Sequence, residues 1–155
     1  MLIARNPAVQ QKLIAQFKAR TIHKSYQTLV KGKLEPERGI IEAPIGRDPG
    51  HRKRMAVVSS GKEATTSYKV REYLGGYTLL DVNIETGRTH QIRVHLAAIG
   101  YPVAGDGVYG IKVKFLERQF LHAWRLGFNL PENGAYREFT CELPPDLQAA
   151  LDFLR

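Results

Sequence analysis

The sequence predicts an α+β domain with a mixed, mostly antiparallel sheet and a few helices on one side of it. Short stretches of alternating apolar and polar residues recur along the chain, and turns rich in Gly, Pro and Asn join them. A few other stretches carry apolar residues at helical spacing. A length of 155 residues with 43% hydrophobic residues suits a single domain, residues 1–155.

The N-terminal part is predicted to contain a short strand, a helix and a long strand. The first strand is Met1–Arg5. Asn6 and Pro7 suit the N-cap and first turn of a helix that ends near Arg20. Its apolar face consists of Val9, Leu13 and Phe17. Thr21–Lys31 alternates as a strand does. One face of that strand carries Ile22, Lys24, Tyr26, Thr28 and Val30.

The middle of the chain is predicted to form further strands. Pro44 interrupts the strand Ile40–Ile45, which is therefore expected at a sheet edge. Met55–Ser59 and Glu63–Leu74 are predicted to pair as a hairpin. A Gly-Gly turn then leads into the strand Tyr77–Ile84.

The C-terminal part is predicted to form a hairpin and a helix. The strands Phe120–Asn129 and Ala135–Glu142 flank a Pro-Glu-Asn-Gly turn. Pro144 or Pro145 opens the last helix. Its apolar face consists of Leu147, Leu151 and Leu154.

The charge of the chain predicts a polyanionic partner. Lys and Arg number 23 against 15 acidic residues, which gives a net charge of +8. The most basic loop is Gly46–Arg54, with Arg47, Arg52, Lys53 and Arg54. Cys141 is the only cysteine, which fits a reducing cytoplasm. No apolar run approaches the roughly 18 residues of a membrane span, so no membrane association is expected.

The stretch Glu85–Gly110 concentrates the residues that carry chemistry. Arg88 and Arg93 flank a strand-to-helix junction, where backbone N–H groups and guanidinium groups can converge on a phosphate or a carboxylate. The helix is predicted over Thr89–Ile99, with Thr89 as its N-cap and Gly100 as its stop.

This stretch closely resembles the signature of the RluA family of RNA pseudouridine synthases. The first part of the match consists of Thr86, Gly87, Arg88, His90, Gln91, Ile92, Arg93 and His95. The second part consists of Gly100, Pro102, Gly105, Asp106, Tyr109 and Gly110. Further similarity lies at Lys24-x-Tyr26, around Pro44 to Val57, and at Leu121-His122-Ala123. The resemblance therefore covers nearly the whole chain.

The resemblance implies a pseudouridine synthase fold that is incomplete at the N-terminus, in the form of a curved antiparallel sheet with an RNA-binding cleft. The implied activity is the isomerisation of uridine to pseudouridine in ribosomal or transfer RNA. It implies no cofactor and no metal, because the reaction involves no redox change.

The resemblance also assigns roles to individual residues. Tyr26 is expected to stack on the flipped uracil and to serve as, or assist, the base. Arg93 is expected to pair with the catalytic Asp, and Ile92 to pack against the base or the Tyr, or simply in the core. Asp106 is expected to brace its own turn. The residues expected to contact RNA are Lys24, Arg47, Arg52, Lys53, Arg54, Arg88, His90 and Gln91.

The nucleophile of the family has no match here. The family places it in a His-Arg-Leu-Asp-x-x-Thr-Ser-Gly motif just before a strand that Met1–Arg5 resembles, and this motif is absent from the sequence. The chain is therefore expected to be the C-terminal portion of a synthase domain and to be inactive alone. We also expect an Arg93 without a carboxylate partner, and either self-association through an exposed sheet edge or a poorly ordered N-terminal strand.

Three alternatives remain. The first is a non-catalytic RNA-binding module derived from a synthase. The second is a metallohydrolase using His90, His95 and His122, although its first two histidines are five residues apart rather than the four that suit a zinc-binding helix. The third, a structural basic protein, would not explain the signature.

Overall fold

The computed structural model describes residues 2–155. In this range the helices are α1 (Pro7–Lys18), α2 (Gln91–Ala98) and α3 (Pro145–Leu154). The strands are β1 (His23–Lys31), β2 (Arg38–Glu42), β3 (Ile45–Arg47), β4 (Met55–Val57), β5 (Thr65–Leu74), β6 (Tyr77–Ile84), β7 (Leu121–Asn129) and β8 (Tyr136–Thr140).

Six strands form the main sheet, in the order β2-β5-β6-β1-β7-β8, and β3 pairs with β4 in a separate ribbon. All strand pairings of the described residues are antiparallel, and a parallel contact occurs only as an isolated bridge between Ala104 and Ile111. The predicted class, α+β with a mostly antiparallel sheet, is confirmed. The predicted strand Ile40–Ile45 is instead divided: β2 ends at Glu42, before Pro44, and lies at a sheet edge, whereas Ile45 begins β3.

The helices pack on both faces of the sheet. Successive residues of a strand point to opposite faces, so neighbours in sequence enter different layers. Leu80 packs in a cluster with Ile92 of α2, whereas Leu79 packs with Leu147 of α3. The prediction that the helices lie on one side was therefore wrong. Both faces of β6 are apolar, and each needs its own cover.

The N-terminal segment differs from the prediction. Residues 2–5 form no strand, and Met1 lies outside the described residues. Leu2 and Ala4 pack against a small cluster that contains Leu13 of α1. A strand requires a hydrogen-bonding neighbour, and an apolar composition alone does not supply one. Asn6 caps α1 through a bond from the Val9 N–H of 2.9 Å, as predicted.

The apolar face of α1 is narrower than predicted, and the helix is shorter. Phe17 is 49% exposed, while Leu13 is buried. The helix ends at Lys18 rather than near Arg20, which has a φ of 58° in the left-handed region. The helix α2 likewise begins later than predicted: its N-cap is His90 with a φ of 57°, not Thr89. Gly100, with a φ of +87°, ends it as expected.

Strands β3 and β4 and the loop between them form a basic arm, residues 45–57, that projects beside α2. The predicted hairpin between Met55–Ser59 and Glu63–Leu74 was wrong, because β4 pairs with β3. Lys62 instead exchanges two backbone bonds with Ile45, each 2.9 Å long. The predicted hairpin β7–β8 is confirmed, and the Gly-Gly turn joins β5 to β6 as an antiparallel pair.

Within residues 2–155, no helix has the length and apolarity needed to cross a membrane.

Candidate functional site

A buried chain of hydrogen bonds fixes the junction between β6 and α2. The Thr86 hydroxyl donates to Gln91 Oε1 at 2.8 Å, and Gln91 Nε2 donates to Thr66 Oγ1 at 3.0 Å. Thr66 Oγ1 in turn lies 2.9 Å from His95 Nδ1, and His95 Nε2 lies 2.9 Å from the Ala43 carbonyl. Since a carbonyl only accepts, Nε2 carries the proton and Nδ1 accepts from Thr66.

These hydrogen bonds give Gln91 a structural role in place of the predicted contact with RNA. The residue is 3% exposed, and Nε2 also donates to the Thr65 carbonyl at 2.9 Å. Its Oε1 accepts the Arg88 N–H at 3.0 Å and thereby shapes the turn. The prediction that Gln91 contacts RNA was wrong, because its amide is used up inside the protein. Burial lowers the pKa of His95, partly offset by the bond to Ala43, so this histidine is neutral at pH 7.

Arg93 already has a carboxylate partner. Its Nε donates to Asp106 Oδ2 at 2.7 Å and its Nη2 to Oδ1 at 2.8 Å. Asp106 also accepts the N–H groups of Val108 at 2.9 Å and Tyr109 at 3.1 Å, so it braces its turn as expected. The expectation of an unpartnered Arg93 was therefore wrong. Asp106 lies thirteen residues further along the chain, so only the fold reveals the pair.

The pair is held ionised. Burial alone would raise the pKa of Asp106, but the bonds from Arg93 and from two backbone N–H groups lower the pKa below its usual value. The bond to Asp106 in turn raises the pKa of Arg93. The two bonds to Asp106 use two of the five N–H groups of Arg93, so both Nη1 N–H groups and one on Nη2 remain for a further acceptor.

Tyr109 joins α2 to the basic arm. Its hydroxyl accepts the Met55 N–H at 2.9 Å and lies 2.9 Å from His90 Nδ1. Its ring lies 4.9 Å from Arg93 Cζ, a cation–π distance. Burial, and then the charge of Arg93, lower the pKa of His90. His90 is exposed, so its predicted contact with RNA stays a prediction.

Tyr26 lies on the α2 side of the sheet. It packs against the cluster that contains Ile92, which is buried. With Lys24 it lines a cavity of about 420 Å³ whose other wall is formed by β7 and β8, and a second cavity of about 610 Å³ beside α1 and the N-terminal segment. Burial raises the pKa of Tyr26 and lowers the pKa of Lys24.

The structure brings some predicted residues together and leaves others apart. Tyr26 and Ile92 share one apolar cluster. Lys24 lies beside the turn before α2, because a Cβ built on Gly87 would be 3.8 Å from its Nζ. Arg93 lines neither of the two cavities to which Tyr26 contributes. Its approach to the Tyr26 site therefore remains a prediction.

The basic arm is a solvent-facing feature. Arg47, Arg52, Lys53 and Arg54 are all exposed. None of them forms a salt bridge with another described residue. Their charge is thus available to an external anion, and their contact with RNA remains a prediction.

Two residues were missed by the sequence reasoning. Lys62 follows the arm and shares a cavity with Arg47 and Arg88; a lysine directly after a glycine turn was the available signal. The Trp124 indole N–H is buried without a hydrogen-bond partner among the described residues, and no sequence signal marks it.

The three histidines of the alternative metal site make separate contacts. His95 uses both ring nitrogens inside the core, and His122 Nε2 lies 3.0 Å from the Cys141 carbonyl. In residues 2–155, no group of three or more His, Cys, Asp or Glu side chains could hold a metal ion.

The fold is that of pseudouridylate synthase domains. The solved structure of human RNA pseudouridylate synthase domain containing 1 is similar with a TM-score of 0.79 and 31% identity, over 93% of this chain and 64% of that one. Human RNA pseudouridylate synthase domain containing 4 has a TM-score of 0.77, with 23% identity over 96% of this chain and 68% of that one, a likeness of fold alone.

The chain belongs to the RNA pseudouridylate synthase family, whose sequence profile matches residues 1–98. An uncharacterized RNA pseudouridine synthase of Chloroflexus aurantiacus is 52% identical over 153 residues, covering 97% of this chain and 48% of the relative. The ribosomal large subunit pseudouridine synthase D of Nitrosomonas europaea is 46% identical over 164 residues, covering 100% and 47%. The chain thus spans about half the length of these curated relatives.

Proposed function

We propose that this chain forms part of an enzyme that isomerises uridine to pseudouridine in RNA. The observation that carries the proposal is that Tyr26 and Lys24 line one cavity, with Lys24 lying beside the turn that leads into α2. The substrate is ribosomal or transfer RNA, and the name of the Nitrosomonas relative supports the ribosomal class. The reaction needs no cofactor, because it exchanges a C–N bond for a C–C bond without a net redox change.

The chemistry requires several steps. The bond from the ribose to N1 of uracil breaks, the base turns, and a bond to C5 forms. C5 then loses a proton and N1 gains one. An Asp supplied outside this sequence would attack the ribose carbon as its bond to N1 breaks, and C5 would displace that Asp when the new bond forms; Arg93 would orient the Asp through its free N–H groups.

Tyr26 would act first as a stacking surface. Because burial raises the pKa of Tyr26, its phenol is protonated at neutral pH before substrate binds. It can accept the C5 proton only after passing its own proton to a neighbour. Lys24 shares both cavities with Tyr26, and burial lowers the pKa of its ammonium group.

Tritium release from RNA labelled at uridine C5 tests this proposal. A longer form that includes an Asp motif upstream of Met1 is expected to release tritium, and changing that Asp to Asn should abolish release. The 155-residue chain alone should bind RNA weakly and release none. Release by the chain at a rate comparable with the longer form would show that the nucleophile lies within this sequence.

RNA binding by the basic arm is tested by salt dependence. Replacing Arg52, Lys53 and Arg54 by Ala is expected to weaken binding to structured RNA and to flatten the plot of log affinity against log salt concentration. An unchanged slope would show that the basic loop does not contact RNA and is only a solvated surface.

The alternative is a non-catalytic RNA-binding module. It would use the same exposed cations of the basic arm, Arg47, Arg52, Lys53 and Arg54. The DNA upstream of Met1 separates the two proposals: an in-frame Asp motif supports the enzyme, and its absence supports the module.

Self-association is a further part of the proposal. The β8 strand lies at the sheet edge, all of its residues are exposed, and its Phe139 side chain is 53% exposed. Such an edge offers unpaired backbone groups to a second copy. Light scattering should show a dimer that Phe139→Lys disrupts; a monomer at all concentrations would contradict this.

A cytoplasmic location is also proposed. It is supported by Cys141, which is free and exposed, as a reducing compartment allows. Cell fractionation with an antibody against the chain tests it, and recovery in an oxidising compartment would contradict it.

A further inference from the structure

We propose that the groove between the basic arm and the turn before α2 is a binding site for an RNA backbone phosphate, held by Arg47, Lys62 and Arg88. The inference rests on the proposed RNA-binding function and adds a specific site to it. Lys62 becomes a ligand-binding residue, and Arg47 and Arg88 become partners in one site although 41 positions separate them.

The groove is a cavity of about 500 Å³. One wall is the base of the arm, and the other is the turn that carries Arg88. Its lining includes three cationic side chains and, within the described part of the chain, no acidic one. Three glycines, Gly46, Gly61 and Gly87, also line it.

The arginines of the groove are oriented without being neutralised. Arg47 Nη1 donates to the Arg52 carbonyl at 3.2 Å, and Arg88 Nε donates to the Glu63 carbonyl at 2.9 Å. None of the three groove cations forms a salt bridge in residues 2–155. Arg88 therefore presents both terminal amino groups of its fork, a geometry that suits two phosphate oxygens.

Backbone contacts hold Lys62 against the base of the arm. Ile45 and Lys62 exchange two backbone bonds of 2.9 Å. A Cβ on Gly61 would lie 2.5 Å from the Ile45 carbonyl carbon, and a Cβ on Gly46 would lie 2.7 Å from Val58 Cγ2. Glycine at these positions lets the segment that carries Lys62 lie directly against the base of the arm. The cations are thus held on a preformed frame, which lowers the entropy cost of binding.

The surroundings favour a nucleic-acid strand over a single small anion. Arg52, Lys53 and Arg54 continue the positive charge along the same arm and are exposed. Successive phosphates along a strand can occupy such a row, and each neutralised phosphate releases counterions.

The test measures binding of a short RNA stem-loop over a range of KCl concentrations. Lys62→Gln is the decisive variant, because the Lys62 side chain makes no hydrogen bond to another described residue. We expect the slope of log affinity against log salt concentration to fall by about 0.9 for one lost phosphate contact. Arg47→Gln and Arg88→Gln should each have a similar effect.

Lys69→Gln is the matched control. Lys69 is exposed on β5, and its neighbours Tyr68 and Val70 point towards α2, so Lys69 points to the opposite face of the sheet. This variant removes the same charge and should leave the slope unchanged. Thermal melting of each variant verifies that the fold is retained.

The outcomes separate the two proposals. If the unaltered chain binds RNA with a steep salt dependence but Lys62→Gln matches Lys69→Gln, the phosphate site is wrong and the proposed function stands. If the unaltered chain shows no salt-dependent RNA binding, both proposals are overturned.

Discussion

Replacing Asp106 by Asn is expected to destabilise the fold strongly. The Asp106 side chain is 0% exposed and the Arg93 side chain 12% exposed, so the change leaves a nearly buried guanidinium without its counter-charge. Removing one partner of a buried ion pair costs about 3–5 kcal/mol. The lower end applies, roughly 3 kcal/mol, because Arg93 keeps some contact with water and Asn can still accept backbone N–H groups.

This loss should be measurable by heat and by urea. At about 2–4 °C per kcal/mol for a domain of this size, Asp106→Asn lowers the melting temperature by roughly 6–12 °C. Circular dichroism follows both transitions. The substitution changes one charge and leaves the surface exposed on unfolding nearly the same, so the m-value of urea unfolding should stay the same.

A second ion pair provides a control of the same geometry. Arg118 Nε and Nη2 bond to the two carboxylate oxygens of Asp146 at 2.7 and 3.0 Å, but the side chains are 41% and 47% exposed. Water screens this pair, so Asp146→Asn should change stability little. Equal losses from the two variants would refute the argument that burial decides the strength of the effect.

The Asp106 effect also has a predictable pH dependence. The pKa of Asp106 is lower in the folded than in the unfolded chain, so the ionised pair contributes its stability above the ordinary carboxyl pKa of about 3.9. That stability is lost as the pH falls through the lower folded pKa. The difference between the protein and Asp106→Asn should therefore be full at neutral pH and shrink below about pH 4.

Three further predictions concern the same region. Gly105→Ala should destabilise far more than Gly134→Ala, because both have positive φ (75° and 73°) but only the first would overlap the Arg118 carbonyl oxygen; equal melting temperatures would contradict this. Gln91→Leu should cost about 1–3 kcal/mol in urea unfolding by orphaning buried hydroxyl and carbonyl groups, and a neutral effect would contradict the network. His95 has a lowered pKa when folded, so stability should fall as the pH drops below about 6.5, a slope that His95→Gln should reduce.

Local structure could be predicted wherever neighbouring residues decide it. Asn6 and Pro7 indicate the start of α1, and Gly100 indicates the end of α2, because caps and stops depend on single backbone conformations. Strand alternation likewise predicts β1 and β5. Residues 2–5 show where local prediction fails, since an apolar run becomes a strand only beside a hydrogen-bonding partner strand.

Pairings and contacts across the fold could not be predicted. The pairing of β4 with β3 rather than with β5 is a contact between strands, which the local residue pattern does not display. For the site, the spacing of the signature indicates a functional role for Arg93, but it does not reveal the ion pair that Arg93 forms with Asp106. The assignment of Gln91 failed because a polar residue in a motif can serve the core as well as a ligand.

Single-turnover tritium release by the longer form carrying Tyr26→Phe tests the central claim most directly, namely that this chain supplies the base-contacting side of a pseudouridine synthase site. The substitution keeps the stacking ring and removes the hydroxyl. We expect unchanged RNA affinity and a loss of tritium release of about 10²-fold or more, because the hydroxyl is the group that transfers a proton. Release within a few-fold of the unaltered longer form would contradict it.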